Sequence, residues 1–232
     1  MSRGGRSTTE TVETVQIPDP LDGDPRVREY LGSAWDAVQG FAGLLRKHGV
    51  ERGLLGPNEA GRLWERHLLN SAGVVSLLAA SGAVVDLGSG GGLPGIVVAA
   101  MRPEAHVVLL EPMERRTEWL RFVVGELGLT NTEVMRGRAD DVVGAVHAEA
   151  VTARAVSGLD NLYRWAAPLV RPGGALFAIK GARALDEVAA AASAARRRGW
   201  VDVEVKEVAT VAGVEPTRVV CAVRAGGGAS VR

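Results

Sequence analysis

The chain has 232 residues, 47% hydrophobic and only 4% aromatic, with a mean hydropathy of +0.09 and a formal net charge of zero from 27 basic and 27 acidic side chains. That length suits one α/β domain whose core is Val, Leu and Ala rather than aromatic rings. The single cysteine, Cys221, lies in the apolar run Val219–Val223, which excludes an internal disulfide framework and a cysteine-built zinc site; no metal site is expected.

Residues 1–24 read as a flexible tail, and no apolar h-region follows Arg3 and Arg6, so no signal peptide is expected. Residues 25–82 read as a helical cap. From Pro25 to His48, Leu31, Trp35, Val38, Phe41 and Leu45 recur at three- and four-residue spacing, which predicts one amphipathic helix. Gly49 and the Gly53–Pro57 stretch interrupt it, and a second helix is predicted from Asn58 or Glu59 to about Ala80, bent near Ser71–Gly73. The most apolar stretch, Ala72 to Val85, is 14 residues long and contains Gly73, Ser76, Ser81 and Gly82. It is too short and too interrupted to span a bilayer, so a soluble, cytoplasmic protein without a membrane partner is expected.

From residue 83 the chain alternates. Strands are predicted at 83–87, 106–111, 132–136, 149–153, 174–180, 201–208 and 218–224, and helices at 94–102, 113–128, 139–146, 158–170 and 182–198. Alternation of this kind predicts a mainly parallel sheet covered by helices. The short link around Gly213–Pro216 leaves no room for a crossover helix, so the last two strands should pair antiparallel. The expected fold class is therefore α/β: a Rossmann-like, mainly parallel seven-stranded sheet over residues 83–225, closed by a C-terminal antiparallel hairpin. Residues 226–232 read as a second flexible tail.

The segment Val84–Gly95 holds the densest information. It reads as a buried strand ending in a glycine-rich turn, with the next helix starting at Pro94, whose missing N–H costs nothing at a first helical position. Gly90, Gly92 and Gly95 satisfy G-x-G-x-x-G, a weak dinucleotide pattern; Asp86, Gly88, Gly90 and Gly92 also satisfy acidic-x-G-x-G-x-G, the loop of S-adenosylmethionine-dependent methyltransferases. Glu111 ends the next apolar run 23 residues after Gly88, near the position that binds a ribose. Either cofactor carries such a ribose. The C-terminal hairpin favours S-adenosyl-L-methionine, and a non-catalytic NAD-binding module stays open as the alternative.

Net charge alone argues against a nucleic-acid partner, but its distribution does not. The clusters Arg115/Arg116/Arg121, Arg136/Arg138 and Lys180/Arg183 follow predicted strand ends, where a phosphate-bearing substrate would meet the cofactor. Arg196–Arg198 read as the solvated end of a helix. Trp64 and Trp119 sit in helical patterns and read as core.

Several motifs, in order between residues 63 and 181, carry a family likeness: Leu63-Trp64-Glu65-Arg66-His67-Leu68-Leu69-Asn70-Ser71, the Asp86–Gly95 loop, Arg102-Pro103-Glu104-Ala105, Arg115–Arg116, Arg138-Ala139-Asp140, Arg154-Ala155 and Ala178-Ile179-Lys180-Gly181. Together they resemble the bacterial small-subunit (16S) rRNA guanine-N7 methyltransferase G family, also called the glucose-inhibited division protein B family. The resemblance implies cofactor contacts at Gly88, Leu93, the Ala139–Asp140 pair and Arg154, and recurring basic residues at Arg115, Arg138, Arg154 and Lys180. It implies as substrate a guanine in a decoding-region loop of the small ribosomal subunit. Two departures stand out: Asn70 replaces the acid of the family's R-H-x-x-D-S, and Gly53–Asn58 poorly matches its asparagine-rich stretch.

The chemistry agrees with these residues. Guanine N7 offers a free in-plane lone pair at neutral pH, so orientation matters more than a general base, and no Ser-His-Asp, Cys-His or H-E-x-x-H constellation is present. Gly88 and Gly90 are expected to admit the cofactor's methionine and ribose parts, Glu111 to accept from ribose hydroxyls, and Asp140 with the backbone near Ala139 to meet the adenine amino edge. Arg154 and Lys180 are the expected catalytic residues, and His67, Arg115, Arg138 and Lys180 the expected RNA contacts. Plainer readings stand beside these: Asp140 as a helix N-terminal acid, Arg154 as a surface ion pair, His67 as a packed helix residue. A methyltransferase for a small molecule or a protein is the remaining functional alternative.

Overall fold

A computed structural model describes residues 18–56, 59–144 and 146–226. Among them, seven strands form one sheet: β1 (Gly82–Leu87), β2 (Ala105–Glu111), β3 (Thr132–Arg136), β4 (Ala148–Arg154), β5 (Val170–Lys180), β6 (Trp200–Val208) and β7 (Thr217–Arg224). The order is β3-β2-β1-β4-β5-β7-β6, parallel from β3 through β5 and antiparallel at β5–β7 and β7–β6. The predicted C-terminal hairpin is present, and its second strand lies inside its first. The order reverses between β1 and β4, and the carboxyl ends of the strands beside such a reversal form the crevice where α/β sheets bind ligands.

Helices cover both faces. The predominantly buried strands alternate their side chains between two apolar clusters, as a pleated backbone requires. Val84, Val107 and Leu109 join α1 (Pro25–Leu31), α2 (Trp35–His48), α3 (Asn70–Val75), α4 (Gly95–Met101) and α5 (Glu114–Glu126), whereas Val85, Val108 and Leu110 join α6 (Leu159–Ala166) and α7 (Ala184–Arg197). The N-terminal helices thus share one continuous core with α4 and α5. Trp64 and Trp119 are buried, as expected, and Trp64 stacks on Trp35 with ring centroids 5.5 Å apart.

The structure corrects several expected elements. The helix predicted from Pro25 to His48 breaks at Gly32, whose φ of +55° ends α1 in a 3₁₀ turn, Gly32–Ala34. The second predicted helix is a 3₁₀ turn (Ala60–Arg62), a π-helical segment (Trp64–Leu69) and the short α3; Asn58, one predicted start, lies outside the described residues. The helix predicted at 139–146 is only a 3₁₀ turn, Ala139–Val142, because Val143 at ψ 126° leaves the helical region and Gly144 follows at φ +83°. Pro94 caps α4 rather than opening it, after a cis Leu93–Pro94 bond. Part of the expected N-terminal tail is fastened: the buried Asp19 accepts from the Trp64 N–H at 2.8 Å, and Asp22 from Trp64 Nε1 at 3.1 Å.

Candidate active site

The glycine loop at the end of β1 is held by two buried carboxylates. Asp86 Oδ1 accepts from Thr152 Oγ1 at 3.0 Å and Oδ2 from the Gly95 N–H at 3.1 Å, which ties β1 to β4 and to the start of α4. Burial pushes the Asp86 carboxyl up to about 6, against the opposing pull of its hydrogen bonds and of Arg154. Glu111, at the end of β2, accepts from the Gly90 N–H and the Met113 N–H, both at 2.9 Å. Gly88 and Ser89 donate to the Leu110 carbonyl at 2.8 and 3.1 Å. The loop therefore hangs from β1 and β2 by main-chain bonds.

Its backbone needs glycine. Gly88, Gly90 and Gly92 have φ of +71°, +53° and +103°, where a Cβ is strained. A Cβ at Gly88 would come within 2.9 Å of Val156, whereas one at Gly90 would meet nothing nearer than 3.7 Å. The main chain at Gly90 is thus open to close approach. Beyond β3, the Asp140 side chain is 63% exposed, 3.7 Å from Arg164 Nη1, and follows the buried Ala139. A bare backbone bend over a buried acid, with a half-buried Leu93 beside it, fits the methionine and ribose parts of S-adenosylmethionine, whereas the Asp140 side chain lines a separate cavity with Arg164, Arg197 and Arg224. Glu111 is only 2% exposed, so its first duty is to hold the loop; each of its oxygens keeps a second lone pair for a ribose hydroxyl.

A second set of side chains gathers at the carboxyl ends of β4 and β5, around a cavity of about 640 Å³ lined by Glu59, His67, Asn70, Arg154 and Lys180, among others. Arg154 Nη1 donates to the Arg66 carbonyl at 3.1 Å, and to the His67 carbonyl and Asn70 Oδ1 at 3.4 Å; Nη2 donates to His67 Nδ1. The π-helical turn makes these carbonyls available, because widening the helix there disturbs the usual i→i−4 ladder. Asn70 links outward as well: its Nδ2 donates to Thr217 Oγ1 at 3.3 Å, and Thr217 returns a bond to the Asn70 carbonyl at 3.1 Å. An amide supplies both the acceptor and the donor that this bridge uses, which gives Asn70 a place despite the departure noted in the sequence. Immediately after Arg154, Ala155 has φ +52°, an uncommon conformation for a residue with a Cβ.

Electrostatics sharpen the picture. Burial, with the neighbouring Arg154 and Arg66 charges, lowers the His67 imidazole to about 4 against the opposing pull of Glu59, so it is neutral at pH 7. Burial also lowers Arg154 to about 10, opposed by Glu59 and Asp86. Lys180 Nζ donates to the Ser157 carbonyl and to Glu187 Oε2, both at 2.8 Å, leaving one N–H of three.

The structure brings His67, Arg154 and Lys180 together at one cavity, while Gly88, Gly90 and Leu93 lie on the loop after the neighbouring β1 and Glu111 at the end of β2. Arg115 and Arg138 do not line that cavity; both are exposed, on the first turn of α5 and just past β3. Arg154 is no surface ion pair, and His67 is buried rather than free to meet RNA with its whole edge. Asp86 and Glu59 were missed as site residues. Asp86 was visible in the motif but given no role, and Glu59 stands outside every motif. Among the described residues no group of three His, Cys, Asp or Glu side chains is placed to hold a metal ion, and no helix is long and apolar enough to cross a membrane.

Residues 35–215 match the family described as rRNA small subunit methyltransferase G. The chain is 46% identical over 205 residues to a ribosomal RNA small subunit methyltransferase G of Kineococcus radiotolerans, covering 86% of this chain and 80% of that protein. It is 45% identical over 221 residues to the protein of that description from Salinispora arenicola, covering 90% and 91%. Among solved structures, the S-adenosylmethionine-dependent methyltransferase SibL in its apo form superposes with a TM-score of 0.58 at 19% identity, over 86% of this chain and 73% of that one. That last likeness concerns the fold alone.

Proposed function

The chain belongs to the rRNA small subunit methyltransferase G family, and from that premise we propose that it methylates N7 of a guanine in a decoding-region loop of 16S rRNA, with S-adenosylmethionine as donor. The observation that carries the reading is that the open glycine bend at the end of β1 stands beside β4, at whose end lies the cavity around Arg154. When bound, the donor supplies an activated methyl group on a sulfonium. Gly88, Gly90, Leu93, Glu111 and the Ala139–Asp140 pair hold it.

The acceptor needs no proton removed, so the work of the chain is to orient and to exclude water. Arg154, fixed by its bonds to Arg66, His67 and Asn70, keeps further N–H groups for guanine O6 or a flanking phosphate, and these would also serve the carboxylate of a bound donor. Lys180 offers its remaining N–H from the same wall. Arg115 and Arg138, exposed at neighbouring strand ends, bind phosphates of the surrounding RNA. His67 acts through Arg154 more than through RNA.

A labelled-methyl assay on 30S subunits lacking the modification, followed by mapping of the labelled base, tests the reading. Label on N7 of one guanine in a decoding-region loop is the expected result. Turnover of a small molecule or protein with no label in small-subunit RNA would overturn it.

A further inference from the structure

The bond between Arg154 and His67 fixes more than a distance. A guanidinium has only donors, so His67 Nδ1 must present its lone pair. A neutral imidazole has one proton, which must then sit on Nε2. That atom is buried, has no well-aligned hydrogen-bond partner, and has Glu59 Oε1 at 3.3 Å, slightly off line. The other oxygen, Glu59 Oε2, accepts from the Gly56 N–H at 2.7 Å, which anchors the carboxylate in place. The charged groups facing this pair are Glu59, Arg66 and Arg154 around His67, and Glu59, Asp86 and Arg66 around Arg154.

We propose that Glu59 is a positioning residue: by drawing the His67 proton to Nε2, it keeps Nδ1 free to hold the Arg154 guanidinium at the cavity. The alternative tautomer would put an N–H of His67 against an N–H of Arg154, two donors facing each other, and the arginine would swing off the carbonyls of the π-helical turn. Glu59 lies 95 residues before Arg154; its charge faces the guanidinium, but its hydrogen-bonding route to it runs through the imidazole. The role deepens the methyltransferase reading and rests on it for its consequence to the reaction, but its geometry exists without donor or RNA.

The test uses full-length protein labelled with ¹⁵N at histidine and arginine, without donor or RNA. In the wild type, the His67 nitrogens should report Nε2–H with an unprotonated Nδ1 from pH 5.5 to 8, and the Arg154 guanidinium should give slowly exchanging signals. Glu59→Ala should mix the tautomers, erase those signals and lower kcat on 30S subunits about tenfold. Glu59→Gln, which retains an acceptor for Nε2–H, should keep the tautomer and at least half the rate. An Nδ1–H tautomer in the wild type overturns the proposal, as do unchanged tautomer and arginine signals in Glu59→Ala. Should Glu59→Ala fail to fold, the wild-type tautomer and Glu59→Gln decide. A wild-type protein with the expected tautomer but no transfer to small-subunit RNA counts against the guanine-N7 reading alone.

Discussion

The two halves of the site are made of different material. Around the ends of β1 and β2 the working surface is main chain: three glycines at positive φ in a loop that hangs from the Leu110 carbonyl and the Glu111 carboxylate and is fastened through Gly95 to Asp86. Around the ends of β4 and β5 it is side chain: Arg154, His67, Asn70 and Lys180, each locked by a partner on another element. A backbone pocket is specified by what is missing, namely Cβ atoms. A side-chain pocket is specified by what converges from distant parts of the chain. In the proposed function the first half holds the donor and the second receives the acceptor.

Substitutions should separate the halves. Arg154→Ala removes the centre of the side-chain half and takes away the donor that the Arg66 carbonyl, Asn70 Oδ1 and the buried His67 ring share. Methyl transfer to 30S subunits should fall at least 100-fold, while Arg197→Ala, on the exposed end of α7, should stay within twofold; equal rates would remove Arg154 from the site. Gly95→Ala strikes the main-chain half, because its Cβ would sit 2.6 Å from Asp86 Oδ2 and against Leu109. Urea unfolding should show a loss of roughly 3 kcal/mol or more, and calorimetry with S-adenosylhomocysteine should show binding weakened at least tenfold.

The halves also titrate in opposite senses. Asp86, raised to about 6, binds protons more readily folded than unfolded, so its contribution is full below pH 3.8 and is lost as pH rises through 6. His67, lowered to about 4, does the reverse: its contribution is full above pH 6.5 and is lost as pH falls through 4. At about 1.4 kcal/mol per unit these amount to at most about 3 kcal/mol for Asp86 and about 3.5 kcal/mol for His67. Relative to wild type, Asp86→Asn should gain stability as pH rises from 4 to 6, and His67→Gln should lose it over pH 4 to 6.5, measured by urea unfolding. Parallel curves for all three proteins would disprove the contrast. The smallest effect is expected of Ala155→Gly. Relief at φ +52° should raise stability by about 0.5 kcal/mol, read as a small upward shift in Tm.

The same contrast explains what could be read from the sequence. The loop Asp86–Gly95 was legible because its requirement is local: glycine spacing after an apolar strand states the backbone shape directly. The alternating strands and the antiparallel hairpin were legible for the same reason. Arg154 and Lys180 were found by motif, but their partners were not. Glu59, Ser157 and Thr217 are ordinary polar residues until the fold brings them within hydrogen-bond distance. The π-helical turn at Trp64–Leu69 was read as ordinary helix, because its apolar spacing fits a 3.6-residue period almost as well and its carbonyl placement leaves no compositional trace.

One feature of the sheet bears on how the protein is made. β7 is the last strand in the chain yet lies between β5 and β6, and its first residue, Thr217, closes on Asn70 across 147 positions. During synthesis the glycine bend can assemble once β1, β2, the start of α5 and β4 with Thr152 have emerged. The pocket around Arg154 must wait, since Glu215, Pro216 and Arg218 complete its wall, and β6 has no partner in the sheet until its successor arrives. A chain ending before residue 217 therefore keeps the strands that carry the glycine bend but lacks the last wall of the cavity around Arg154.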